Sequence, residues 1–578
     1  VNSSLDNETN DAFCTLREAI KAANTNTSYN GCVSGSGTDT IVFSVNSANV
    51  DTSMPQITAD LIVSGIHIDN SRTALIVNQA MDMDVFNVAT TVNVTINNVE
   101  IKTAVTATSQ NDGRAIVMAG SGNLLLDGVT IANMGELSTV RHGAAVYSNG
   151  AKVVIRNSSF DNNYVQGNGA AVYVENADLS VEDSSFSGNT ANAGHGGAIC
   201  KMGTGVVTIK RSRFVSNVAG GDGGAFASNS TAEIVNSVFA ENTALSEGSA
   251  IYSAATTASI HNTTVVDNLL GNQNNLATAN GAIFNAGTTL NIQHTIVSGN
   301  EKVTVLSPFT KTSSNCGGVW SSFIYSIING NTGCSFSGGF STTSTNGYPH
   351  LTDWNVNGNR IFVVPHKHST SVDAGDMVNG CKDASGNLIT DDLLGRPRPQ
   401  KITAASAVCD IGAIELMPVD VGISMNVINA NSRWSPTVGV LSNADIDIVI
   451  TNNSSIALKG SRLKITIPMG FALFGSIRSE SFTTNIPALA GGQSYTYRAS
   501  FAAVVGGNPD SPVNASIIND IGYASSDTSA NATITSSFEV PPSNSGDSGG
   551  GSFDFFILAL GLVLLGRHRK KVRVNDFR

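Results

Sequence analysis

Apolar and polar residues alternate in a short block that recurs along the middle of this chain. The block reads LLLDGVTIANM at 124–134, VVIRNSSFDNN at 153–163, LSVEDSSFSGN at 179–189 and VTIKRSRFVSN at 207–217. AEIVNSVFAEN at 232–242, ASIHNTTVVDN at 258–268 and LNIQHTIVSGN at 290–300 follow. Val153 with Ile155, Leu179 with Val181 and Val207 with Ile209 alternate at period two, a strand pattern. Most copies are trailed by small residues: GAAVY at 143 and 169, GGAI at 196, GGAF at 223, GSAIY at 248 and GAIF at 281. The anchors Ile131, Phe160, Phe186, Phe214, Phe239, Val265 and Val297 lie 25 to 32 residues apart, so the rung is fixed and its loops vary. A repeat of this size marks a solenoid. Strand-only rungs predict an all-β, right-handed parallel β-helix over 41–345, with roughly eleven or twelve coils stacked about 4.8 Å apart.

Two columns follow from the register. Phe160, Phe186, Phe214 and Phe239 are expected to stack inside as an aromatic ladder. Asn163, Asn189, Asn217, Asn242, Asn268 and Asn300 sit three residues after the anchors, where each strand turns. Asn tolerates left-handed φ, and stacked amides bond from coil to coil, so these form a structural Asn ladder. Helix-forming residues concentrate in CTLREAIKAAN at 14–24. Leu16, Ala19, Ile20 and Ala23 share one helical face, and Thr15 with Glu18 has capping-box spacing. Residues 1–40 therefore predict an N-terminal cap whose helix covers open strand edges.

The pattern changes after the coils. Residues 346–416 concentrate charge and turn residues and are expected to close the last coil as a C-terminal cap. Residues 417–540 alternate in separate segments divided by turn-rich stretches, which predicts an immunoglobulin-like β-sandwich. PPSNSGDSGGGS at 541–552 is a flexible linker. FDFFILALGLVLLG at 553–566 predicts a short hydrophobic helix, and the basic tail completes a sorting or anchor segment at 553–578. The apolar run is shorter than the ~20 residues of a stable span. Its basic flank places the tail inside and the acidic remainder outside, so the membrane contact through 553–566 is expected to precede processing. The chain starts at Val1 rather than Met, consistent with an export signal removed or omitted.

Composition narrows the class. Only 13% of residues are charged and the net charge is −12. Basic patches interleaved with aromatics are absent from the acidic part, which excludes nucleic acid as the expected partner. No glycine-rich strand–helix fingerprint calls for a nucleotide, so no cofactor is expected. Seven Cys suit an oxidising compartment. Their proximity pairs Cys14 with Cys32, Cys316 with Cys334 and Cys381 with Cys409, leaving Cys200 a buried thiol.

Several motifs together resemble bacterial exported proteins. CTLREAI at 14–20 is similar to the CSLREA motif that opens many exported β-helices. SVDAGD at 371–376, LLGRPRP at 393–399 and CDIGAIE at 409–415 resemble the closing segment of the choice-of-anchor Q domain. ITNNSSIALKGSRLKITIPMGF at 450–471 is similar to Ig-like repeats of bacterial surface proteins, with NNS in place of NNG. GGGS, the short apolar run and RHRKK resemble the GlyGly-CTERM tail, which a rhombosortase-type protease cuts. The resemblance implies a Gram-negative protein exported across the inner membrane, displayed on the surface or secreted, with a C-terminal sorting protease as partner. It implies no reaction.

Candidate chemistry is thin. GHGG at 194–197 contains the GHG string of polygalacturonases, yet no NTD motif accompanies His195, and His142 occupies the same loop. Lys201, Lys210, Arg211 and Arg213 cluster on the middle coils near Asp161, Asp183, Asp222, Glu241 and Asp267. Lys210 and Arg211 are equally explained as cross-strand partners of Glu182 and Asp183. Tyr147, Tyr173 and Tyr252 follow the glycine blocks and could dock a linear glycan. Asp373, Asp376, Arg396, Arg398, Asp410 and Glu415 read best as a structural network. His366 and His368 make two metal ligands at most, which is not a site. Asp6 to Asp11, with Asn7 and Glu8, offer calcium ligands, although a solvated loop explains them as well. The expected role is adhesion or binding of an extracellular polysaccharide; the alternative is a polysaccharide lyase or glycoside hydrolase.

Overall fold

The computed structural model describes residues 1–538 except 66–71, 78–82, 104–112, 136–139, 277–278, 331–333, 339–344, 347–350, 357–358, 366–368, 377, 379, 399–407, 419–420, 436–438, 455–457, 459–460, 469–470, 474–480, 504–510, 519–522 and 525–528. The linker and hydrophobic helix expected at 541–578, and His366 and His368, lie outside the described residues. Among the described residues no helix is long and apolar enough to cross a membrane.

The alternating blocks form strands that pair in parallel with the same block one coil away. They collect into sheets of 11, 12 and 10 strands. The first runs from Asp39–Val42 to Ser322–Ile324, the second from Ser47–Val50 to Thr345–Asn346, the third from Met83–Val88 to Ser335–Phe336. A 7-stranded sheet of mostly two-residue strands closes the coil and ends in the antiparallel hairpin Glu301–Leu306/Phe309–Ser313. Inside, Phe160, Phe186, Phe214 and Phe239 stack with centroids 4.8, 4.8 and 4.6 Å apart and planes within 3°. The rings are fully buried, so the parallel register turns one conserved position of the repeat into a continuous apolar column.

Two hydrogen-bonded ladders hold the turns. Each ladder Asn donates its Nδ2 to the next Oδ1, at 2.9 Å from Asn163 to Asn189, Asn189 to Asn217 and Asn217 to Asn242. The run continues through Asn268 and Asn300 to Asn315. The same Oδ1 atoms accept the backbone N–H of the preceding Asn, and each Nδ2 also reaches a carbonyl such as that of Phe186 or Phe214. These amides are buried and fully bonded within the protein, so nothing is left for a ligand. The expectation that the ladder Asn adopts left-handed φ is corrected: that conformation falls one residue earlier, at Asn162 (54°), Ser216 (56°), Glu241 (58°) and Asp267 (54°), with Gly188 and Gly299 filling the same position. The turn needs its bend before the ladder side chain so that the amide can point inward. A second ladder was not expected. Ser158, Ser184 and Ser212 each donate backbone N–H to the hydroxyl of the next coil at 3.2, 3.3 and 3.2 Å.

The helix Leu16–Thr25 starts at a capping box made by Thr15 and Glu18 and ends at left-handed Asn26. Leu16, Ala19, Ile20 and Ala23 are buried in the coil core, and the helix packs on the first strand Asp39–Val42. Disulfides join Cys14 to Cys32, Cys316 to Cys334 and Cys381 to Cys409, and Cys200 is a buried free thiol.

The expectation that 346–416 closes the last coil is corrected for the described residues within 369–398 and 408–416. They form a strap along the side of the stack. Asp391 bonds Arg211 and Asn236, Ala384 N–H reaches Glu233, Asp376 N–H reaches His294, and Ala413 N–H reaches Thr264. Val372, Leu393, Ala413, Ile414 and Leu416 pack on Val215, Val238, Ala240 and Val266. Those outward positions are apolar, so this sheet face must be covered by something, and the strap covers it. Within the strap, Asp392 accepts three backbone N–H groups and the Arg396 fork. Arg398 and Glu415 form a fully buried pair 3.3 Å apart beside Asp410.

Farther along, Val421–Asn429, Ala444–Asn452, Ser494–Ala503 and Phe471–Leu473 form a 4-stranded antiparallel sheet. A 6-stranded sheet includes Arg462–Thr466, Ser511–Ile518 and Ser529–Phe538. Ile446, Ile448 and Ile450 of the first share one core with Leu463, Ile465 and Val513 of the second.

Candidate functional site

The strap meets the coils in a concave site. Along the outer face of the 12-stranded sheet, Thr130, Ser159, Ser185 and Arg213 follow one another in register, one per coil. Beyond Arg213 the column becomes apolar Val238, which the strap covers. At the border, Leu393, Leu394 and Gly395 of the strap stand above the hydroxyl floor and leave a slot of about 430 Å³. Arg72, Arg211 and Arg213 line it, together with Asp183.

The charges have different duties. Arg211 bonds Glu182, Asp183 and Asp391 at once, and the Asp183 hydrogen bonds, with those three carboxylates, hold its pKa above the usual range. It therefore ties the strap to two coils, which gives Arg211 the cross-strand role expected of it. Arg213 is largely buried; desolvation lowers its pKa and the nearby Asp161 charge opposes that. Burial raises the Asp161 carboxyl, while the Ser159 hydroxyl donates to it at 2.6 Å. Arg72 is exposed and rests on the Thr130 hydroxyl at 3.3 Å. Among the described residues no carboxylate lies within ion-pair reach of Arg72.

The tyrosines lie on another face. Tyr147 stacks on Tyr173 at 5.6 Å, His142 stacks on Tyr173 at 4.7 Å, and Tyr252 stacks on Phe284 at 5.9 Å. Tyr173 is only 6% exposed and packs with Cys200 and Ala227. Tyr173 is stacked by both His142 and Tyr147, Arg114 lies over the Tyr147 ring, and Phe284 takes one face of Tyr252. Beside them runs a loop ladder. Asn168 N–H donates to His142 Nδ1 (2.8 Å), His195 N–H to Asn168 Oδ1 (2.9 Å), Asp222 N–H to His195 Nδ1 (3.0 Å) and Glu247 N–H to Asp222 Oδ1 (3.0 Å). His195 Nδ1 also lies 3.1 Å from Asp222 Oδ2. The neutral ring accepts from the N–H; the protonated ring donates to the carboxylate, whose hydrogen bond raises the His195 pKa. Burial, then the Asp222 charge, raises Glu247.

Other sequence candidates fall into structural roles. Asp6 takes the Arg17 fork at 2.7 and 3.0 Å, and Glu8 pairs with Lys21, so these carboxylates fasten the N-terminal segment to the helix. Lys201 is fully buried and donates to the Met202 and Thr204 carbonyls and the Ser230 hydroxyl. His294, Cys381 and Cys409 are the buried group with metal-like spacing among the described residues, and the two thiols are joined as a disulfide. Sequence reading missed the floor of the slot. Its signal was the Ser or Thr directly before the anchors Ile131, Phe160 and Phe186, followed by Arg213 before Phe214.

A family model described as a right handed beta helix region matches residues 114–301. That match and the coils agree on a right-handed parallel β-helix. No curated protein matches the chain. Among solved structures, the CARDB domain of the PF1109 protein from Pyrococcus furiosus, in complex with di-metal ions, is 10% identical. The alignment covers 21% of this chain and 96% of that one with a TM-score of 0.15, which carries no argument.

Proposed function

We propose that this is an exported, surface-displayed bacterial β-helix protein that binds an extracellular polysaccharide in the slot beneath the strap. The observation that carries the reading is the floor: hydroxyls of Thr130, Ser159 and Ser185 recur at coil spacing along an open trough walled by Leu393 to Gly395. A linear glycan presents hydroxyls at a similar repeat, and a trough running along the stack lets successive sugars meet successive coils. β-Helices occur in adhesins and in polysaccharide-acting enzymes, so the fold alone does not choose. The finer identity rests on motifs. CTLREAI supplies the capping box and the Arg17 that pairs with Asp6, and LLGRPRP and CDIGAIE supply Arg398 and Glu415 of the strap's buried pair. Both uses suit a CSLREA and choice-of-anchor Q protein. The two sheets after Met417 suit an Ig-like spacer, and 541–578 suit a GlyGly-CTERM tail.

The test is a glycan array followed by calorimetry on the best oligosaccharide. Ser185→Trp fills the trough and should abolish binding while the fold melts normally; unchanged binding rejects the slot. The enzymatic alternative draws on His195, Asp222 and Glu247, where one carboxyl is held ionised and its neighbour pushed up, an acid–base pattern. Release of unsaturated or reducing sugar ends that is lost in Glu247→Gln would establish it instead.

A further inference from the structure

We propose that the slot selects glycans carrying oxyanions, with Arg72 and Arg213 as the specificity-determining residues; this rests on the glycan-binding reading above. The two arginines occupy opposite ends of the hydroxyl floor. Arg72 sits on Thr130, and Arg213 follows Ser185 in the same column. Thr130 and Arg213 are three coil steps apart, or roughly 14 Å at the inter-strand spacing. A neutral sugar would satisfy the Ser159 and Ser185 hydroxyls, which otherwise bond each other at 3.1 Å. It would not use a guanidinium at each end.

The third arginine makes the contrast. Arg211 is surrounded by Glu182, Asp183 and Asp391 and has no positive charge left to offer. Arg72 has no such carboxylate among the described residues, and its head is in water at the slot mouth. Guanidinium forks favour carboxylate and sulfate because two parallel N–H groups match two oxygens. Arg213 shares its charge with the nearby Asp161 carboxylate and is bonded within the protein, so an oxyanion at that end competes for its remaining donors. An incoming oxyanion therefore meets Arg72 first and Arg213 as the deeper end. The whole chain carries −12, which repels polyanions at long range. At physiological salt that repulsion is screened beyond roughly 8 Å, so contact inside the slot decides selection.

The experiment compares three probes by calorimetry on the full chain: a uronate oligosaccharide, its carboxyl-reduced counterpart and a sulfated oligosaccharide of the same length. The acidic probes should bind at least tenfold more tightly than the reduced one, and added salt should narrow the gap. Arg72→Ala is exposed and should erase most of the preference without moving the melting point. Arg213→Gln should do the same for the uronate. Preference for uronate over sulfate, or the reverse, identifies which oxyanion is read. Equal affinity for the acidic and reduced probes overturns this inference and leaves glycan binding standing. Binding of none of the three overturns both. A preference that survives Arg72→Ala assigns selectivity elsewhere and overturns the residue assignment.

Discussion

At the scale of single residues, the stack is sensitive where a side chain serves two coils. Phe186 touches a ring above and below, so Phe186→Ala opens a cavity that neighbours cannot close, at a cost of about 3–5 kcal/mol. Asn217→Ala leaves the Asn189 donors without their acceptor, and each buried unmet group costs about 1–3 kcal/mol. Urea titration should find both changes far above Thr208→Ser on the outer face. Comparable midpoints for all three would deny the inward ladders. His294 gives a pH signature. It is buried under the strap, and its Nε2 accepts Asp376 N–H. Desolvation first, then the Arg398 charge, pushes its pKa down to about 3 from 6.5. A depressed imidazole is bound in neutral form, so its stabilisation is complete above pH 6.5. It falls as pH drops toward 3, by up to about 1.4 kcal/mol per unit. His294→Gln should flatten that part of the pH–stability curve; an unchanged slope would reject the assignment.

At the scale of elements, the strap is the part that departs most from expectation. It docks where left-handed turns are filled by Arg211 (44°), Asn236 (48°), Asn262 (45°) and His294 (50°). Arg and His in that region cost roughly 1–2 kcal/mol each, and strap contacts at Arg211 and His294 offset the strain. Cys381→Ser with Cys409→Ser opens a loop of 28 residues and should remove roughly 3 kcal/mol of stabilisation. Hydrogen exchange should then speed up at Val215, Val238 and Val266, and not in the helix Leu16–Thr25. The coils were legible because period-two alternation and a repeated anchor are local. The capping helix was legible through Thr15 and Glu18. The strap was hidden, because a segment without periodicity says nothing of where it lies. Its trace was in the coils, where FVS, FAE and VVD put apolar residues outward after each anchor and broke the alternation. The slot was less legible still: Leu393 and Ser185 are 208 residues apart in sequence, and only the docked strap brings them together.

At the scale of the whole molecule, the proposed life history runs from export to surface display. On the proposed sorting-tail reading, an intramembrane protease cutting within about 546–556 should release the ectodomain. Intact-mass analysis of protein from its native host should find the C-terminus there; a chain still ending in Arg578 means that the anchor is retained. The central claim is that coils and strap together build a glycan trough, and hydrogen–deuterium exchange with saturating oligosaccharide addresses it directly. Protection should appear in 157–159, 183–185, 211–213 and 393–395, on coils and strap at once. Protection confined to His195, Asp222, Glu247 and the tyrosine face, with the strap unchanged, would contradict it.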